Sequence, residues 1–380
     1  MSSHLVPKFS SAFAKGDPAT LAARCLSQMP GDTLATVGVV YVSEAAAAAL
    51  PDIVRELSEG TGIADWVGGV GLGICAGANE VYEASAAAVL TASLPADAFR
   101  LFAASNDPGA ELPRHHSEWL ERVSPSLALV HGDARCDNLM RVMADTAAAS
   151  GAFLVGGLVS HRCEAPLLAG DVANETAFGR SGMSGLMLSP EIGVATGLTQ
   201  GCVPIGPVHR IDEARENIIM EIDGRPALNV FYDDIGPELV SDPRRLGGII
   251  FAGLPVAGTD TGDYLVRNLM AIDPRQGWVV IGAEVSAGDP IVFCRRDPES
   301  ARADMDRMLK QLSARLPGPP RAGIYVSCIA RGASLFGEPG VETGMIREAL
   351  GDFPLIGFFA NGEISRDRLY GHTGVLTLFT

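Results

Sequence analysis

Short unbroken apolar runs recur along this chain, each trailing into small or polar residues. "TVGVVYVS", "AAAVLTASL", "FRLFAAS" and "SLALVHG" have the length and the β-branched and aromatic content of strands. "LAARCLSQM" and "EAAAAALPDIVRELSEG" space their apolar positions for helices, with Pro51 expected to kink the second. Helix "CDNLMRVMADTAAAS" and strand "AFLVGGLVS" come next. Residues 184–222 read as a meander of short strands ("GLMLS", "IGVATGLTQ", "VPIGPVHRI", "NIIMEI"), turned by "DGRP" into a helix opening at "ALNVFYDDI". The runs "GGIIFAGLPV", "DYLVRNLMAID", "GWVVIGAEV" and "DPIVFCRR" predict consecutive antiparallel strands. "ESARADMDRMLKQLSARL" predicts an amphipathic helix with Ala301, Met305, Met308, Leu309 and Leu312 on one stripe. Strand "AGIYVSCIA" and helix "ETGMIREALG" follow, the helix ending on Gly351. Near the end, Asn361-Gly362 between apolar runs is a hairpin signal, because both residues tolerate positive φ.

The pattern also echoes itself. Three strands, "VVYVSEA", "LALVHGDA" and "GIYVSCIA", each lead to a helix and then to a strand with a central glycine: "DWVGGVG", "FLVGGLV", "PLIGFFA". A further apolar strand follows each time ("AAVLTAS", "GLMLS", "GVLTLF"). Gly68 lies 25 positions after Ser43, Gly156 lies 25 after His131, and Gly357 lies 30 after Ser327. A rival register pairs Gly73 with Gly357. The expected class is α/β in the mixed α+β sense: mixed sheets, strand–helix–strand units with hairpins attached, and two domains with internal β-α-β repeats. Such strand ends are where ligands sit in α/β sheets.

Composition narrows the function classes. With 380 residues, 47% hydrophobic and 19% charged, the chain has apolar material for more than one core. A formal charge of −16 repels phosphate backbones and argues against a nucleic acid partner. Lysine occurs only at Lys8, Lys15 and Lys310, an arginine bias expected of a GC-rich bacterial genome. No signal peptide is read at the start, and no apolar run approaches the roughly 20 residues of a membrane helix. The seven cysteines are scattered, odd in number and free of C-x-x-C spacing, so reduced thiols in a cytoplasm are expected, with no zinc site and no cofactor.

Candidate chemistry concentrates in residues 327–372. Cys328 and Arg331 follow a buried strand, Glu338 sits in "LFGEPG", Gly357, Asn361, Gly362 and Glu363 belong to the glycine strand and its turn, and His372 begins the last strand. Guanidinium, carboxylate and backbone N–H groups together suit a small zwitterion such as an amino acid. Cys328 with His372 and Glu338 or Glu363 also has the composition of a nucleophilic arrangement, against which stands the usual burial of cysteine. Arg267, Asp273, Arg296 and Asp297 are charges embedded in apolar strands, where partners are expected. "GGVGLGICAG" gives G-x-G-x-x-x-G with no helix after it, so no dinucleotide site is read. His115 and His116 are placed in a polar loop. His131 and Asp133 stand at a strand end without a visible third metal ligand.

"PALNVFYDDIG", "DYLVRNLMAIDP", "CRRDP", "SCIARGASLFGEPG", "GFFANGEI" and "HTGVLTLF", in that order, resemble the C-terminal FIST domain (F-box and intracellular signal transduction). "VGGVGLGICAGANEVYEASAAAVLTASLP", "GDARCDNLM" through "LVGGLVS", and "LTQGCVPIGP" are similar to its N-terminal partner domain. The loop "GGVGLGICAGANE" is longer than is usual in the family, so no ligand contact is carried over there. The resemblance implies a segment 1–19, a FIST N domain over 20–224 and a FIST C domain over 225–380. It implies a cytoplasmic sensory protein binding a small ligand, with amino acids proposed, and a signalling protein as partner. With the two halves filling the sequence, the expectation is a stand-alone sensor rather than an enzyme. A cysteine-dependent enzyme using Cys328 and a ligand-free interaction scaffold are the alternatives. In the sensor reading Arg331 holds a carboxylate and Glu363 an ammonium.

Overall fold

The computed structural model describes residues 7–30, 34–240, 246–256 and 263–380; the first six residues of the expected N-terminal segment lie outside it. The chain forms two compact units. The described residues within 1–199, 305–369 and 373–380 make up the first, and those within 200–304 and 370–372 the second. The class is the expected one, mixed α+β with several mixed sheets.

The first unit is one pattern built three times. Its modules start with strands Val37–Ser43, Leu127–Asp133 and Ala322–Cys328. A helical crossover follows each: Leu50–Thr61, Leu139–Ser150, and the pair Gly332–Phe336 and Val341–Leu350. The chain then returns as a parallel glycine strand, Asp65–Gly71, Phe153–Val159 or Leu355–Ala360. On the other side of each first strand lies an antiparallel one: Ala86–Ala92, Met183–Leu188, Thr373–Phe379. The edge strand beyond it precedes its module in sequence: Phe9–Lys15, Phe99–Ser105, Val194–Gln200.

The glycine register is thereby settled. Gly68 lies opposite Val40, Gly156 opposite Val130 and Gly357 opposite Tyr325. A Cβ there would stand 1.8, 1.9 and 1.8 Å from the carbonyl oxygen of the residue opposite. No side chain fits that approach. Gly73 instead starts a separate strand paired antiparallel with the third glycine strand. The first-strand anchors need correction. The equivalent residues are Ser43, Asp133 and Cys328, opposite Gly71, Val159 and Ala360, not Ser43, His131 and Ser327.

Each sheet is completed by a hairpin from another module. The hairpin after the first glycine strand, Gly73–Ala76 with Asn79–Val81, joins the third sheet. The one after the second, Leu167–Asp171 with Phe178–Gly179, joins the first sheet. The one after the third, Glu363–Ser365 with Arg368–Tyr370, joins the second. The exchange is cyclic. It overturns two local expectations. Asn361-Gly362 is no two-residue hairpin but a crossing between sheets, with Gly362 at φ 143°. Residues 184–222 are no meander either, because Met183–Leu188 and Val194–Gln200 enter different sheets. Local periodicity marks strands but not their partners.

The inner faces of the three sheets share one core, including Tyr41, Leu90, Leu129, Leu186, Val326 and Phe358. The outer faces are covered by helices, the first by Leu50, Ile53, Val54 and Leu57. Burying each such side chain contributes about 1.5–3 kcal/mol. Pro51 stands at the start of its α-helix, after a 3-10 stretch Glu44–Ala49, where its missing N–H costs nothing. The predicted stripe is real: Ala301, Met305, Met308, Leu309 and Leu312 are all buried on helix Pro298–Arg315. His115 and His116 lie on a helix, Pro108–Val123, not in a loop. Pro108 opens it and Leu112 and Trp119 bury one face, which outweighs the polar composition between them.

The second unit is a small antiparallel barrel. Strands His209–Arg215, Ile218–Ile222, Trp278–Ile281, Tyr264–Asp273 and Ile250–Pro255 pair in that order, and Pro290–Arg296 closes the ring between the last and the first. Helix Ala227–Ile235 contributes Leu228, Val230 and Phe231 to its core. Among the described residues no helix is long and apolar enough to cross a membrane.

Candidate functional site

The first unit carries its polar chemistry at the C-terminal ends of the three module strands. In the third module, Arg331 and Glu342 are both fully buried and paired, with Nε to Oε1 at 2.7 Å. Tyr325 hydroxyl donates to Oε1 at 2.7 Å, Ser327 hydroxyl to Oε2 at 3.0 Å and Gly332 N–H to Oε2 at 3.1 Å. Both carboxylate oxygens are thus satisfied from within. Burial works against the Arg331 charge, but Glu342 outweighs it and holds the guanidinium protonated more firmly than in water.

Glu363 occupies a different cage. It is fully buried, and Oε2 accepts Thr373 hydroxyl at 2.8 Å and Thr373 N–H at 3.1 Å, while Gly362 N–H reaches Oε1 at 3.3 Å. Burial dominates and pushes its pKa up to about 8, against smaller lowering by these donors and by the Arg331 charge. The strand at 363–365 is pinned to the second sheet, which is why the glutamate points inward.

The other expected residues are dispersed. Cys328 is buried at its strand end, while Glu338 and Asn361 are exposed. Gly357 is committed to its close strand contact. His372 belongs to the second unit, where its ring lies 4.3 Å from that of Phe251. Also there, Arg267 donates to the Val266 carbonyl, and burial lowers its pKa. Asp273 caps its turn by accepting Arg275 and Gln276 N–H, and Arg296 ends a barrel strand. Asp297 accepts Ser300 N–H at 2.8 Å as a helix cap.

Sequence reasoning passed over several residues that the fold makes prominent. Glu342 was hidden in a helix whose buried stripe also holds Ile346, and a charge on such a stripe is the signal that would have found it. Tyr41 hydroxyl meets His131 Nε2 at 2.9 Å in the shared core, and burial pushes the His131 pKa down to about 3, leaving a neutral ring. In the barrel, His209 is held by Asp223 at 2.6 Å and Asp234 at 2.9 Å. Among the described residues no set of three His, Cys, Asp or Glu side chains is arranged to hold a metal ion.

A cleft of about 1160 Å³ opens beside the Arg331–Glu342 pair. Its walls include the third module's strand-end loop (Ile329, Ala330), the first module's hairpin (Glu80, Tyr82) and Glu44 at the first module's strand end. Lys15 and Arg162 bring positive charge, and Glu83 adds a third carboxylate. Tyr82 hydroxyl donates to Glu80 Oε2 at 2.7 Å and accepts Ala333 N–H at 3.2 Å. Glu80 Oε1 is enclosed and makes no hydrogen bond of ordinary geometry, with the Gly340 N–H lying near the carboxylate. Burial raises the Glu80 pKa, opposed by the nearby Gly340 N–H and the Tyr82 hydroxyl. Glu44 accepts the Ser160 hydroxyl, and Arg162 lies 3.8 Å from it.

Fold and site define a mixed-sheet α+β protein of tripled modules with a charged cleft at its strand ends. Residues 36–225 match the FIST N domain and residues 227–366 the FIST C domain, and the chain belongs to this family of signalling sensor domains. The uncharacterized protein MT0656 of Mycobacterium tuberculosis is 32% identical over 332 residues, covering 82% of this chain and 83% of that protein. The uncharacterized protein Mb0898c of Mycobacterium bovis is 31% identical over 332 residues, 82% of each chain.

Proposed function

We propose that this protein is an intracellular sensor that binds a small amine-bearing metabolite of the amino-acid class in the cleft around Glu80. The observation that carries the reading is the set of three carboxylates, Glu44, Glu80 and Glu83, lining an open cleft together with Lys15 and Arg162. An ammonium group entering such a cleft gains charge-assisted hydrogen bonds to carboxylate oxygens. Glu44 and Glu83 reinforce selection for positive charge, and Arg162 and Lys15 offer a seat for a carboxylate. Arg331 and Glu363, both buried in cages of their own, do not contact the ligand. The Arg331–Glu342 pair instead fixes the loop that forms one wall. Occupancy would be passed to a signalling partner through a change at the cleft wall formed by residues 329–334.

The test is a thermal-shift screen of the twenty protein amino acids, followed by calorimetry on any that raises Tm. Glu80→Gln and Arg162→Ala are each expected to weaken binding about tenfold, the scale of one charge-assisted contact. Absence of any shift, or unchanged affinity in both variants, overturns the reading.

A further inference from the structure

The repeat that builds the first cleft builds a second. A cavity of about 630 Å³ lies where the second module's hairpin crosses the start of the first module's helix. The correspondence is element by element. The first cleft uses the first module's hairpin, the third module's strand-to-helix loop and Glu44 just past Ser43. The second uses the second module's hairpin (Glu164, Phe178, Arg180), the first module's strand-to-helix stretch through Pro51, and Asp133 with Arg135. Asp133 is the structural equivalent of Ser43.

We propose that this cavity is a second ligand seat, for an amino acid with an apolar side chain. The proposal rests on the reading of the first cleft for its ligand class alone; the cavity and its groups stand independently. Phe178, Pro51, Pro166 and neighbouring alanines give it an apolar lining. Its charges are balanced, two carboxylates against two guanidiniums, where the first cleft has three carboxylates against two cations. Arg135 is held in place: Asp133, 3% exposed, accepts its backbone N–H and its Nε, each at 3.0 Å, and its Nη2 at 3.5 Å. That leaves Nη1 for a ligand carboxylate. Glu164, on an exposed rim pairing with Arg180 at 3.3 Å, meets the ammonium. A zwitterion inserts between these opposite charges while its side chain rests on the apolar lining.

Alanine-methyl NMR separates the two seats, because Ala47, Ala48 and Ala165 line the second and Ala45, Ala84, Ala330 and Ala333 the first. L-Leucine and L-phenylalanine are the probes, titrated into the full chain. Saturable shifts at Ala47, Ala48 and Ala165 are expected. They should weaken at least about fivefold in apparent affinity in both Arg135→Ala and Glu164→Gln, with the remaining alanine methyls keeping their folded positions. Glu164 is at the surface, so its variant tests binding without risk to the core. No saturable shift at the three second-seat methyls, or equal affinity in both variants, overturns the proposal. The first-cleft methyls report separately: their failure to respond to any amino acid sinks the reading of that cleft and leaves this one standing.

Discussion

Glu363 and Glu342 are two buried glutamates in one unit with opposite electrostatic solutions. Glu342 has a guanidinium partner and three further donors, whereas Glu363 has donors alone. A carboxyl whose folded pKa is raised from 4.5 to about 8 binds its proton more tightly folded than unfolded. Its protonation therefore favours the folded state most at acid pH, and that benefit is lost as pH rises from about 4.5 to 8. The window corresponds to on the order of 5 kcal/mol. Urea unfolding between pH 5 and 8 should show the native chain losing stability relative to Glu363→Gln as pH rises. Parallel pH curves would refute the assignment. At the other glutamate, Arg331→Met leaves an uncompensated buried charge and should cost about 3–5 kcal/mol. Arg331→Met combined with Glu342→Leu should recover much of that loss, and equal urea midpoints for single and double variants would show that the pair is not coupled. The sequence exposed Arg331 and Glu363 as charges beside apolar strands, but not their partners. Partnership depends on which helix and which sheet arrive beside them, and that is long-range information.

At the scale of elements, the glycine strands were legible because a three-dimensional demand leaves a one-letter trace. Where a carbonyl oxygen stands 1.8 or 1.9 Å from a notional Cβ, glycine recurs at the same place in three modules. The first-strand anchors were not legible to the residue, because the crossover lengths differ and equal spacing in two modules was coincidence. Gly68→Ala and Gly156→Ala should each cost about 3 kcal/mol or more, because backbone must move to admit the methyl. Gly62→Ala, at a helix C-cap with φ 74° and nothing within 4 Å of the added carbon, should cost only about 1 kcal/mol. Urea denaturation ranks the three. A Gly62 variant as damaging as the other two would mean that left-handed backbone strain, not close strand approach, is what these glycines relieve.

For the whole first unit, the cyclic exchange of hairpins decides what can fold alone. The family boundary falls between residues 225 and 227, whereas the compact units divide near residues 199 and 304. A fragment spanning 36–225 keeps two modules but loses the third sheet. Its hairpin at 73–81 then has no strand to join, since Gly73–Ala76 pairs with Leu355–Ala360. The second sheet loses Glu363–Ser365 from Phe153–Val159. The shared core loses Ile324, Val326, Ile356, Phe358 and Val375, each side chain contributing about 1.5–3 kcal/mol. That sum is as large as the net stability of an ordinary domain, about 5–15 kcal/mol. The fragment should therefore keep far-ultraviolet circular dichroism, lose near-ultraviolet signal and bind a hydrophobic dye, unlike the full chain. Adding residues 305–380 as a separate polypeptide should restore near-ultraviolet signal if hairpin exchange is the missing element. A fragment that unfolds cooperatively on its own would show instead that two modules suffice and that the exchanged hairpins are ornaments on independent sheets.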